Sequence, residues 1–140
     1  MKIEVQLLSK KGKLPTKNFI TDAGLDIYSS EDFSVGVDER KLIHTDIAMG
    51  IPINHVGIIK SRSGLSNKHG INILGGVIDY GYTGEVGVII HNTGFEVFNG
   101  SKHDKIAQMV ILPIPEVEIK KVKTLSKSER GTNGFGSSGK

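Results

Sequence analysis

Short apolar stretches recur along this chain at near-regular spacing, each closed by glycine, proline or asparagine, and none keeps a 3.6-residue apolar period. Ile3, Val5 and Leu7 alternate with Glu4 and Gln6, the pattern of a half-buried strand. Residues 23–28, then Phe33, Val35 and Val37, continue it. Residues 42–49 and 56–60 read as two further strands, parted by a turn with Pro52 and Asn54. Val77-Ile78 and residues 86–90 read as the two arms of a β-hairpin. A turn at 92–94, a turn at Asn99-Gly100, a strand over 106–114 and a last strand carrying Val117 and Ile119 complete the series. Roughly ten short strands without an amphipathic helix predict an all-β fold: an antiparallel sandwich, jelly roll or barrel.

At 140 residues this is one domain. The absence of cysteine excludes a disulfide framework, a thiolate metal site and a thiol nucleophile. No apolar run approaches the ~20 residues of a membrane span, and residues 1–8 lack the apolar block of a signal peptide. A soluble intracellular protein, cytoplasmic or nuclear, without membrane contact, is expected. Lysine and arginine exceed aspartate and glutamate by only 18 to 15, too small a surplus to indicate nucleic-acid binding. The aromatic residues are too scattered for a base-stacking platform. Lys120, Lys121, Lys123, Lys127, Arg130 and Lys140 crowd the C-terminal end, which reads either as a solvated tail or as a partner for an anionic ligand such as a polyphosphate.

Within residues 75–92, Gly75, Gly76, Gly81, Gly84 and Gly87 strip side chains from a segment that would otherwise pack. Glycine in a strand marks places where a ligand or another backbone comes close. Asp79, Tyr80 and Tyr82 sit at the centre. A bare backbone with an acid and a ring beside it suits a planar polar ligand held edge-on; the alternative is a loose surface hairpin. Asp26, between apolar neighbours, is a satisfied structural carboxylate or a functional one. Residues 61–70 combine Arg62, small polar residues and a closing Gly70, either an anion site or simply a well-capped turn.

The tail from Thr124 lacks periodicity. Gly134, Gly136 and Gly139 match G-x-G-x-x-G, and residues 134–140 match most of a Walker A loop. Both motifs need a following helix, and none follows Lys140 in this sequence, so both are rejected. Mobile backbone N–H groups, two hydroxyls and an arginine still suit a phosphate chain. Phe135 has no core to join and reads as a ring that closes over something flat. The five histidines show no metal-ligand spacing and are read as surface or structural.

Five segments together resemble the trimeric deoxyuridine triphosphatase (dUTPase) family: residues 23–28, 61–70, 75–85, 102–108 (Lys-His-Asp-Lys-Ile-Ala-Gln) and 130–139, in the family's order. The resemblance implies a jelly roll or distorted barrel over residues 1–123 and a flexible arm over 124–140. It also implies a homotrimer whose active sites are shared between subunits, without stable nucleic-acid binding. The implied activity is Mg²⁺-dependent hydrolysis of dUTP to dUMP and pyrophosphate by water attack at the α-phosphate. Such an activity limits uracil in DNA and supplies dUMP for dTMP synthesis. Asp79 matches the water-orienting acid and Tyr82 the ring under the deoxyribose, with Gly76 and Ile78 in the base slot. Arg62, Ser63, Gly64 and Gln108 match phosphate-side positions, and Asp26 an acid that reaches the metal through bound water. Arg130, Phe135, Gly136, Ser137 and Ser138 match the closing arm.

The chain departs from the family pattern at His103-Asp104-Lys105, where Gly-Asp-Arg is usual, and at Asn133 and Ser138, where Gly and Thr are usual. Asn133 would stiffen the arm, and Lys105 would alter a subunit contact. The related dCTP deaminases would need a catalytic glutamate at Ile89, which an apolar side chain cannot replace. A non-enzymatic jelly-roll protein is opposed by the joint presence of Asp26, Arg62, Asp79, Tyr82, Gln108 and Arg130.

Overall fold

The computed structural model describes residues 1–134. Among these, eleven strands and one helix follow in order: β1 (Glu4–Leu7), β2 (Gly24–Tyr28), β3 (Phe33–Val35), β4 (Arg40–Ile43), β5 (Ile47–Gly50), β6 (His55–Lys60), α1 (Ser63–His69), β7 (Ile71–Leu74), β8 (Val77–Ile78), β9 (Val88–Asn92), β10 (Phe98–Gly100) and β11 (Lys105–Pro113). Every pairing is antiparallel. The four-stranded sheet runs β2-β11-β6-β8 and the three-stranded sheet β4-β9-β7, with the pairs β1-β5 and β10-β3 beside them. The architecture is an antiparallel β jelly roll.

Period-two alternation decides which side chains enter the core. Along β9, Val88 and Ile90 are fully buried while Ile89 between them is exposed. Ile27 of β2, Ile59 of β6 and Met109 of β11 meet Ile43 of β4, Ile71 of β7 and Ile90 of β9 in one apolar cluster. Each such burial contributes about 1.5–3 kcal/mol. Asn92, at the end of β9, is also fully buried. Its Nδ2 donates to the carbonyls of Val35 (3.0 Å) and Glu96 (2.8 Å), and its Oδ1 accepts from Gly94 N–H (3.0 Å). A buried amide satisfied on both ends ties the β9 turn to β3.

The all-β expectation holds, and several details differ. The expected hairpin over 75–92 is not one: β8 pairs with β6, whereas β9 pairs with β4 and β7, in another sheet. Residues 79–87 therefore bridge two sheets instead of closing a ribbon. The strand expected over 42–49 is broken into β4 and β5 at residues 44–46, where Asp46 takes a φ of 53°. No strand forms around Val117 and Ile119, which are exposed. Asn99 and Gly100 lie in β10 and not in a turn, and β7 was not foreseen. After β11, residues 114–134 form no helix or strand and are exposed.

Candidate active site

Two pockets hold most of the residues singled out by sequence. The first, about 480 Å³, is lined by Gly76, Val77, Ile78, Asp79, Tyr82 and Glu85 together with Leu42, Leu74, Gly87 and Ile89. Its base is β8, the terminal strand of the four-stranded sheet: one edge of β8 pairs with β6, and no strand among the described residues pairs with the other. An edge strand presents unpaired main-chain donors and acceptors, the material for reading a polar ligand edge-on. Gly76 sets its position. With a φ of +87°, and with Ile59 O only 2.9 Å from where a Cβ would stand, no other residue fits without strain. Ile59 N–H donates to Gly76 O at 2.7 Å and locks the approach.

Asp79 follows directly after β8 and is exposed. Tyr82 N–H donates to Asp79 O (3.3 Å), so residues 79–82 form a turn that holds acid and ring on one pocket. The Tyr82 ring folds back along its own loop, its hydroxyl donating to Glu85 O at 2.9 Å. Gly84 permits this, since a Cβ there would stand 2.5 Å from the Tyr82 hydroxyl oxygen. Ile89 contributes an apolar wall to the pocket, where a proton-shuttling carboxylate would be needed for deamination.

Glu85 was not foreseen. Its Oε1 accepts the N–H groups of Thr45 and Asp46, each at 2.9 Å, and its Oε2 lies 2.9 Å from His44 Nδ1. It thereby closes the break between β4 and β5. Burial pushes the Glu85 carboxyl up, but the His44 hydrogen bond and the two main-chain donors outweigh it and hold it below the ordinary carboxylate value. The hydrogen bond with Glu85, and then its charge, raise the His44 imidazole.

The second pocket, about 640 Å³, is predominantly polar and includes Asp26, Arg62, Ser63, Gly64, Lys105 and Gln108. The pairing of β2 with β11 puts Asp26 opposite Gln108. Asp26 Oδ1 lies 3.2 Å from Arg62 Nε, and Oδ2 lies 2.6 Å from Lys105 Nζ. Arg62 also donates to Lys105 O (3.2 Å), and Gln108 Nε2 donates to Ser61 O (2.9 Å). The hydrogen bond to Asp26 raises the Lys105 ammonium above its ordinary value. Two cations against one carboxylate leave a local positive excess suited to a polyanion. Lys105, given no site role by sequence, is thus part of this cluster; its place against Asp26 follows from a strand pairing that sequence alone does not specify. Beside it His103 takes a φ of 69°, the left-handed region that glycine tolerates best, with its Nε2 2.9 Å from Lys11 O.

Among the described residues no group of three or more histidine, aspartate or glutamate side chains could hold a metal ion. A single carboxylate suits Mg²⁺, which keeps its waters and prefers phosphate oxygens to a protein cage. Asp26, with two oxygens and about four lone-pair sites, retains room for a metal-bound water beside its two cations. Arg130 joins neither pocket; its Nε donates to Asn133 O at 3.0 Å within an exposed turn. Phe135, Gly136, Ser137 and Ser138 lie outside the described residues. No helix among the described residues is long and apolar enough to cross a membrane.

The dUTPase family model matches residues 10–139. The deoxyuridine 5'-triphosphate nucleotidohydrolase of Clostridium tetani is 45% identical over 140 residues, covering 99% of this chain and 97% of that protein. Its counterpart from Clostridium kluyveri is 46% identical over 141 residues, covering 99% of each. Among solved structures, the Staphylococcus bacteriophage 80alpha dUTPase with dUPNHPP superposes with a TM-score of 0.93 at 37% identity, over 99% of this chain and 98% of that one. A dUTPase variant from S. aureus phage phi11, described for its structural Mg(II) ion, gives a TM-score of 0.84 at 33% identity, over 91% and 100%.

Proposed function

The chain belongs to the dUTPase family, and from that premise we propose that it hydrolyses dUTP to dUMP and pyrophosphate, with water attacking the α-phosphorus and Asp79 aiming that water. The observation that carries this reading is the edge of β8 left unpaired among the described residues, leading into an exposed carboxylate that lines one pocket together with a tyrosine.

Uracil offers an acceptor–donor–acceptor edge, which the main-chain groups of β8 around Gly76 and Ile78 complement. Cytosine presents an amino donor where an acceptor is needed, and an unpaired buried group costs about 1–3 kcal/mol. The narrow slot leaves little room for the methyl of thymine. The Tyr82 ring packs beneath the deoxyribose, where a 2′-hydroxyl would lose its water without gaining a partner. Arg62, Ser63, Gly64 and Gln108 bind the phosphates by charge and hydrogen bonds. Asp26 would hold Mg²⁺ through a bound water, and the ion would supply neutralisation of phosphate charge. Holding the water against the α-phosphorus is positioning work, to which Asp79 adds an acid–base contribution of about 10²–10⁴-fold.

The two pockets share no residue, so a nucleotide that needs both is accommodated where two copies of the chain meet. We therefore propose a homotrimer with active sites between subunits, closed by an arm over residues 124–140 in which Arg130, Ser137 and Ser138 clasp phosphate and Phe135 and Gly136 cover the base. The enzyme works inside the cell, with the deoxynucleotide pool. Pyrophosphate release from dUTP, dCTP, dTTP and UTP, assayed side by side with Mg²⁺, tests the reading. Release from dUTP alone is expected, ammonia from dCTP would replace the hydrolase with a deaminase, and no product from any of them would remove the enzyme.

A further inference from the structure

Glu85 is the point where the loop that carries Asp79 and Tyr82 is fastened to the rest of the fold. Its carboxylate takes both main-chain N–H groups of the β4–β5 break, from Thr45 and Asp46, and meets His44 Nδ1, all at 2.9 Å. Its own carbonyl receives the Tyr82 hydroxyl at 2.9 Å. The neighbouring backbone is held in the same place: Val86 N–H donates to Ile47 O (2.9 Å), and Thr45 Oγ1 donates to Val86 O (2.7 Å). Tyr82 itself is half exposed and faces the pocket. Packing alone therefore does not fix its ring; the hydroxyl bond to Glu85 does, and that bond is only as rigid as Glu85.

We propose that Glu85 is a positioning residue for sugar selection: by clamping residues 79–85 to the β4–β5 corner it holds the Tyr82 ring where a 2′-hydroxyl would have to stand. This rests on the reading of Tyr82 as the ring beneath the deoxyribose. A rigid ring discriminates by sterics and by burying an unpaired hydroxyl, whereas a ring free to swing yields to the larger sugar. The clamp thus acts on the difference between dUTP and UTP, and not on phosphate chemistry. Gln in place of Glu85 keeps an oxygen for the Thr45 and Asp46 N–H groups and loses only the charge toward His44; Ala loses every contact of the carboxylate.

The experiment measures kcat and KM for dUTP and UTP in the wild type, Glu85→Ala, Glu85→Gln and Tyr82→Phe. The ratio of kcat/KM for dUTP over UTP is expected to fall at least about tenfold in Glu85→Ala. Glu85→Gln should keep most of it, and Tyr82→Phe, which lacks the hydroxyl, should lose part. An Ala variant in which both substrates slow equally, leaving the ratio unchanged, overturns the proposal and leaves Glu85 a merely structural group. Should Glu85→Ala fail to fold, Tyr82→Phe decides: a ratio equal to wild type overturns the proposal. A wild type that hydrolyses neither nucleotide would instead overturn the activity on which the proposal rests.

Discussion

Around Asp79 the walls are main chain and apolar side chains; around Asp26 they are ion pairs and amides. The first pocket owes its shape to where the backbone is allowed to go: Gly76 at a φ of +87°, β8 left as a sheet edge, and the 79–85 loop clamped by Glu85. The second owes its shape to charge, since Asp26 draws in Arg62 and Lys105 from two other segments. Main chain reads a pattern of donors and acceptors but brings little charge. A charged cluster attracts a polyphosphate strongly but discriminates poorly among bases. On the proposed reading a nucleotide needs both, and the division would let selectivity and phosphate handling vary separately.

The largest test of the contrast is Asp79→Asn. Turnover of dUTP should drop at least ~100-fold while nucleotide binding, followed by calorimetry, persists; a near-normal rate would deny the first pocket its chemistry. Deleting residues 126–140 comes next. Turnover should fall by tens of times or more, whereas the melting temperature should barely change, because residues 126–134 pack nothing. A steep loss of thermal stability would make the tail part of the fold. Mixing separately inactive Asp79→Asn and Arg62→Ala chains, then refolding them together, should restore roughly a quarter of wild-type activity, the random share of intact sites if each pocket comes from a different subunit. No recovery would mean that both pockets serve within one chain.

The glycines of the two pockets give a finer comparison. Gly76→Ala forces a side chain into positive φ and against Ile59 O, and chemical denaturation should show a loss of about 1–3 kcal/mol. Gly64→Ala, with open space around its Cβ, should stay within about 0.5 kcal/mol of wild type. Equal losses would erase the distinction between a pocket built of backbone and one built of charge.

The smallest effect is pH dependence at the His44–Glu85 pair, with Glu31 and Asp46 as the other charges near His44. Glu85 is lowered from 4.5, so its contribution is present above that value and is lost as pH falls through its folded value. His44 is raised from 6.5, so its contribution is full below that value and is lost as pH rises through its folded value. The melting-temperature gap between wild type and His44→Ala should therefore be widest between these two values and narrow on either side. A gap independent of pH would show the pair contributes nothing through charge.

Sequence made some of this legible and hid the rest for identifiable reasons. The apolar run over residues 86–90 revealed a strand, although the letters did not show that only every second side chain enters the core. The partner of that strand stayed hidden: Val77-Ile78 lie close in sequence, but pairing is chosen by long-range fit, and β9 found β4 and β7 instead. The single strand read over 42–49 passed over the polar His44-Thr45-Asp46, where the strand breaks and a carboxylate distant in sequence, on Glu85, takes the N–H groups of Thr45 and Asp46. Val117 and Ile119 alternate correctly yet meet no sheet edge, so their pattern has nothing to act on. Asp79 and Tyr82, singled out by their motif, line one pocket, and Asp26 and Arg62, singled out by theirs, line the other. Lys105 was given no site role, since its role depends on which strand lies beside β11.

The proposed reading of a base by the peptide groups of a strand edge would have a consequence for how this protein can change over generations. Exchanging Val77 or Ile78 for another residue alters the walls of the slot but leaves the order of N–H and C=O intact, because every amino acid except proline carries the same pair. On the proposed reading, base preference is thereby insulated from most single-codon drift. A new preference would require a slip of β8 against Gly57 and Ile58, a step that turns wall residues inward and outward together.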